Sequence, residues 1–123
     1  MTRRKITFET VKEIALALPD VEEGTMYGSP ALKLNGKWLA CDPTNKSAEP
    51  ESLAVSIDFD QRDGLLADAP ETYYVKPHYI NYPCVLVRLR RIQPDALKEL
   101  LSASWQFVNN SSRKRAPGRR RSR

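Results

Sequence analysis

His78 is the single histidine of the chain, and Cys84 follows it at a distance that a loop could close into a Cys–His pair. Such a pair would make a thiolate nucleophile, provided that a third group orients the base. No nucleophile elbow of the GxSxG kind, no P-loop and no GxGxxG accompanies it. Cys41 and Cys84 are too few for a disulfide scaffold and too far apart for a CxxC site, so both read as buried free thiols. Glu9 and Glu13 stand one helical turn apart, with Asp20, Glu22 and Glu23 close behind, and could share a hard cation. Two carboxylates at that spacing are more ordinarily a solvated helix face, and Glu9 gains from sitting at a helix start. Ser111-Ser-Arg-Lys114 spells SxxK, but without pocket-forming sequence around it the match is accidental. The expectation is a nonenzymatic chain with no catalytic residues, no metal and no cofactor.

The cations make a stronger pattern. The 123 residues hold 20 Lys and Arg against 15 Asp and Glu, a net charge of +5. Residues 109–123 carry seven of the cations, Arg113, Lys114, Arg115, Arg119, Arg120, Arg121 and Arg123, and no acid. Residues 6–108 hold 10 cations and all 15 acids, so the body is acidic and the basicity belongs to the ends. A stretch of Asn, Ser, Arg, Pro and Gly cannot offset its ordering entropy by burial, which predicts a disordered basic tail over 109–123. Its natural partner is anionic. Seven phosphate contacts on duplex DNA would give a salt slope of about −6 by counterion release, without sequence preference. Arg115-Ala-Pro-Gly-Arg119 lacks the Arg-Gly-Arg-Pro order of a minor-groove hook.

Positioning these groups requires a folded domain, and the length suffices for one, over residues 1–108. Thr7 caps a helix with Phe8, Val11, Ile14, Ala15 and Leu18 on one stripe, ended by Pro19. Ala31–Leu34 and Lys37–Cys41 flank Asn35-Gly36, the residue pair for a type I′ hairpin turn. Leu53, Val55 and Ile57 alternate as a half-buried strand. Residues 60–67 read as a short helix containing Gly64, and 72–76 and 84–91 as two more strands. Pro94 and Asp95 open a closing helix with Leu97, Leu100, Leu101, Ser104, Trp105 and Val108 on one stripe. The expected class is α+β, two-layer, in the order α-β3-α-β2-α, with a five-stranded antiparallel sheet and helices packed against it.

The hairpin fixes which side chains share a face. Across a two-residue turn Leu34 opposes Lys37 and Lys33 opposes Trp38, so Lys33 and Trp38 project together while Leu32, Leu34 and Leu39 face the core. With Val85, Val87 and Leu89 also inward, Arg88 and Arg90 join that outer face, with Tyr74 and Lys76 beside them. Cations that hold phosphate next to a ring that stacks a base would make this a nucleic-acid surface. The competing reading covers Trp38 with a helix or a second copy and pairs Arg88 and Arg90 with Asp58 and Glu71.

Ala17-Leu-Pro-Asp-Val-Glu-Glu23 with Tyr27-Gly28, Lys33-Leu-Asn-Gly-Lys-Trp38, Leu65-Leu-Ala-Asp-Ala-Pro70, Tyr74-Val-Lys-Pro-His-Tyr79, Tyr82-Pro-Cys-Val-Leu-Val-Arg88 and the closing Leu97, Leu100, Leu101 and Trp105 together resemble the MmcQ/YjbR family over about residues 7–108. The resemblance implies a small bacterial protein with a CyaY-like fold, similar also to secretion chaperones, and a family generally labelled DNA-binding through likeness to a double-wing domain. It also implies docking by the Asn35-Gly36 hairpin as a wing. No apolar run approaches a membrane span and no secretory leader opens the chain, so a cytoplasmic location without membrane contact is expected. The partners expected are nucleic acid, DNA before RNA, through Lys33, Trp38, Lys76, Arg88, Arg90 and the seven tail cations. The alternative is a protein-interaction or peptide-binding module whose acidic body docks a basic partner.

Overall fold

A computed structural model describes residues 6–26, 28–43, 51–77 and 79–114. Helix α1 (Phe8–Leu16) leads into β1 (Val21–Met26), β2 (Ser29–Leu34), β3 (Lys37–Cys41) and β4 (Ser52–Ser56). Then come α2 (Phe59–Asp68), β5 (Tyr73–Tyr74), β6 (Cys84–Arg88) and α3 (Pro94–Lys114). The strands form one antiparallel sheet in the order β1-β2-β3-β4-β6-β5. The α+β class and the layering match the expectation, but the sheet has six strands and not five.

The additional strand is β1, whose sequence Val-Glu-Glu-Gly-Thr-Met has neither the alternation nor the apolar content of a core strand. It is an edge strand paired only to β2, from Val21 opposite Leu34 to Met26 opposite Ser29, and charge on such an edge discourages pairing with other chains. Asp20 starts it from a left-handed conformation, φ 63°. Two other strands are shorter than expected. β5 keeps only Tyr73 and Tyr74, and β6 stops at Arg88 because a turn, with Arg91 and Ile92 amides donating to the Arg88 carbonyl, redirects the chain toward α3.

Helix boundaries also move. Asp58, which follows the strand expected through Ile57, is the N-cap of α2, its carboxylate accepting from the Gln61 amide at 2.7 Å. α3 runs on to Lys114, so residues 109–114 are helical where a disordered tail was expected to begin, and residues 115–123 lie outside the described residues. The extension is cheap because the propensities of Asn, Ser, Arg and Lys permit another turn once a packed helix supplies the nucleus.

The main core lies between the helices and one face of the sheet. Leu32, Ala40, Leu53, Val55, Val85 and Val87 meet Val11 and Ala15 of α1 and Leu97, Leu100 and Leu101 of α3. Leu34 and Leu39 extend it toward Val108 and Trp105. β4 is buried along its whole length, because its second face is covered too. Two polar contacts set the pitch of α3: Ser104 Oγ donates to the Leu39 carbonyl at 3.3 Å, and Trp105 Nε1 to the Pro19 carbonyl at 2.8 Å.

Candidate functional site

The hairpin register is as derived: Leu34 pairs with Lys37 and Lys33 with Trp38 across Asn35 and Gly36, whose φ values of 53° and 84° are those of the I′ turn. A bulge follows, because Leu32 pairs with Ala40 and Leu39 is left as the extra residue. Leu39 and Ala40 therefore both enter the helix-side core, while Trp38 and Cys41, three residues apart, both lie on the opposite face.

That opposite face holds a cross-strand row, Gly24, Ala31, Cys41, Ala54, Leu86 and Tyr74, one residue from each strand. Ala31, Cys41, Ala54, Leu86 and Tyr74 form a second buried cluster, with Trp38 and Tyr79 packed against it. The expected open basic sheet is thus largely a small second core. Tyr74 anchors it by a hydrogen bond between its hydroxyl and Ser52 Oγ. Arg88, opposite Ser52, lays its guanidinium 4.4 Å from the Tyr74 ring centroid and donates to the Pro70 and Glu71 carbonyls at 3.1 and 3.2 Å. Lys76 reaches over the same ring at 5.6 Å.

The expected cations therefore divide. Arg88 and Lys76 join Trp38 on one face, but Arg88 is engaged in holding the 70–74 turn. Arg90 lies past the end of β6, off the sheet face, with its Nε 3.7 Å from Glu51. The pairing of Arg88 and Arg90 with the carboxylates of Asp58 and Glu71 is not what forms: Asp58 caps α2, and Glu71 offers its carbonyl. Arg113 and Lys114 end α3, and Arg115, Arg119, Arg120, Arg121 and Arg123 lie outside the described residues.

Lys33 and Trp38 do come together with a third residue, Lys37. These three line a groove of about 360 Å³ with Gly36, Ser56, Pro83, Phe107 and Val108. Lys37 lines this groove although it alternates with Trp38 along β3, because the groove also takes in Phe107 and Val108 from the helix side. On the other flank of α3 a larger groove, about 790 Å³, is lined by Asp58, Gln61, Lys98, Glu99, Gln106, Phe107 and Asn110, among others. Phe107 borders both, so the last turns of α3 divide a basic, aromatic groove from a more acidic one.

Sequence reasoning missed Arg62. It is 7% exposed, and its Nη1 donates to the carbonyls of Ile80 and Tyr82 at 3.1 Å each and of Cys84 at 3.4 Å. Its guanidinium stands 4.8 Å from the Phe59 ring centroid, Asp63 lies 4.0 Å from its Nε, and that Nε has no hydrogen-bond partner among the described residues. The only signal was an arginine inside an otherwise acidic, weakly amphipathic helix.

His78 lies outside the described residues. Its candidate partner Cys84 is buried, its Sγ 3.9 Å from the Tyr79 carbonyl, and burial pushes its thiol up to about 11, partly offset by Arg62. Burial, with a smaller contribution from Cys84, pushes Cys41 up to about 12. Thiols so held stay protonated and are poor nucleophiles. Of the acidic cluster, Lys12 bridges Glu23 at 2.8 Å and Glu9 at 3.4 Å, which raises the lysine's own pKa. Among the described residues no three His, Cys, Asp or Glu side chains converge to hold a metal ion.

A family model described as YjbR matches residues 16–107, and the chain belongs to that family. Uncharacterised proteins of Mycobacterium bovis and Mycobacterium tuberculosis are 46% identical to it over 41 residues, 33% of this chain and 32% of each relative. The match thus spans about a third of the length of these relatives. The crystal structure of a Deinococcus radiodurans protein with a DUF419 domain superposes with a TM-score of 0.72 over 91% of this chain and 85% of that one. At 18% identity this likeness is one of fold. No helix among the described residues is long and apolar enough to cross a membrane.

Proposed function

We propose that the chain is a nonenzymatic nucleic-acid-binding protein acting on duplex DNA, with Lys33, Lys37 and Trp38 as the folded contact and the arginine segment as a second, sequence-independent one. One observation carries this reading: the groove that unites these three residues is bordered by Phe107 and Val108 of α3, the helix that leads directly into Arg113 and the arginines beyond. Lysines beside an indole offer phosphate contacts and a stacking surface within one site. Arg88 contributes by fixing the turn beside Tyr74, so its role here is positioning. A protein-interaction module is the second reading, and the exposed side chains of Phe59, Ile80 and Tyr82 favour it.

The test is fluorescence anisotropy of a labelled duplex with the full chain across a salt series. Lys33→Gln combined with Lys37→Gln should flatten the salt slope by about 2 and weaken binding at low salt. Trp38→Ala should weaken it by about tenfold, the worth of one stacked base. If only substitution of the tail arginines changes binding, the folded domain is not the DNA site.

A further inference from the structure

We propose that the acidic, aromatic surface at the start of α2 is a docking site for the chain's own arginine-rich segment, residues 115–123. Three large apolar side chains stand out there, Phe59 at 43%, Ile80 at 48% and Tyr82 at 58% exposure. They are not scattered, because Arg62 touches the Phe59 ring and holds the carbonyls of Ile80 and Tyr82. An arginine this buried, tying a helix to a loop, keeps a rigid platform in place.

The charge around the platform selects the occupant. Asp58, Asp60 and Asp63 outnumber Arg62 within α2 and its cap, so phosphate is repelled and a cation is favoured. A flat cation fits best: guanidinium stacks on aromatic rings while its edge donates to carboxylates, which ammonium does less well. The body's surplus of acid and the segment's five arginines are complementary.

Reach is satisfied as well. Asp58 and Gln61 of the α2 start line the same groove as Gln106, Phe107 and Asn110, so α3 carries the segment out beside this platform. From Lys114 the nine remaining residues can extend about 30 Å. The other acidic cluster, at α1 and β1, is a poorer site because Lys12 already bridges Glu9 and Glu23.

This docking does not depend on DNA binding, and its test contains no nucleic acid. Backbone NMR spectra of the full chain at low salt are compared with those of the variant Arg119→Ser, Arg120→Ser, Arg121→Ser, Arg123→Ser. Shift changes at residues 59–63 and 79–82 are expected. A synthetic peptide of residues 113–123, added to that variant, should restore the shifts, and Asp60→Asn with Asp63→Asn should weaken the peptide at least fivefold. Identical spectra at α2, peptide shifts centred on Glu9 and Glu23, or no effect of the Asp substitutions would overturn the proposal. So would shifts that scale with protein concentration, which would assign the platform to a second copy.

Discussion

The two faces of the sheet are built on different principles. On the helix side, Leu and Val from the strands interlock with leucines of α3, giving a broad core of branched side chains. On the other side the central positions are Ala31, Cys41 and Ala54, and the larger groups, Trp38, Tyr74 and Tyr79, sit around them. The first face gains most from apolar area; the second gains from close approach and from polar tethers, Ser52 to Tyr74 and Arg88 to the 70–71 carbonyls. The face that covers little area is thus the one that carries ring and cation chemistry.

Cutting the same kind of hole in each face tests whether the two faces differ in this way. Leu101→Ala, on the helix side, should cost about 3 kcal/mol in urea unfolding, whereas Cys41→Ala should cost about 1 kcal/mol. Equal losses would mean that the second face is as much a core as the first. Arg62→Met should cost about 2 kcal/mol, since the carbonyls of Ile80, Tyr82 and Cys84 lose a charged donor, and should speed proteolysis within residues 79–83. An unchanged cleavage pattern would show that the loop holds its own shape. Tyr74→Phe, which removes the hydroxyl tethered to Ser52, should cost about 1 kcal/mol.

A further effect is in alkaline pH. Both thiols lie above the ordinary value of 9.0, Cys84 at about 11 and Cys41 at about 12, so the folded state favours their protonated forms. Their stabilising contribution is complete below pH 9 and is lost as pH rises from there toward 11 and 12. Urea midpoints measured on the alkaline side should therefore fall more steeply for the natural chain than for the variant Cys41→Ala, Cys84→Ala. Parallel curves would place the thiols in a wetter setting.

Local chemistry made much of this legible in the sequence. Asn35-Gly36 dictated the hairpin and its register, and the stripe from Leu97 to Val108 dictated which side of α3 is buried. β1 was illegible because an edge strand needs only backbone pairing on one side, and its glutamates hide it. The candidate site was half legible. Alternation placed Lys33 and Trp38 together correctly, but it could not show that Arg88 is occupied by carbonyls a turn away, or that Arg90 falls past a strand end. Arg62 was invisible because its partners, 18 to 22 residues downstream, are backbone oxygens, which no side-chain pattern marks.

The bulge at Leu39 separates two kinds of change that inheritance could bring to the hairpin. A substitution within Lys37–Cys41 alters one contact and leaves the pairing in place. Losing Leu39 would restore strict alternation with Trp38 and Cys41 two positions apart, so both would stay on one face and Lys33 would keep its partner, while the helix-side core would lose one of the two adjacent side chains that enter it. A one-residue gap at this point is therefore compatible with the groove, and its cost falls on the helix side, where Leu39 packs against Leu34 and Val108.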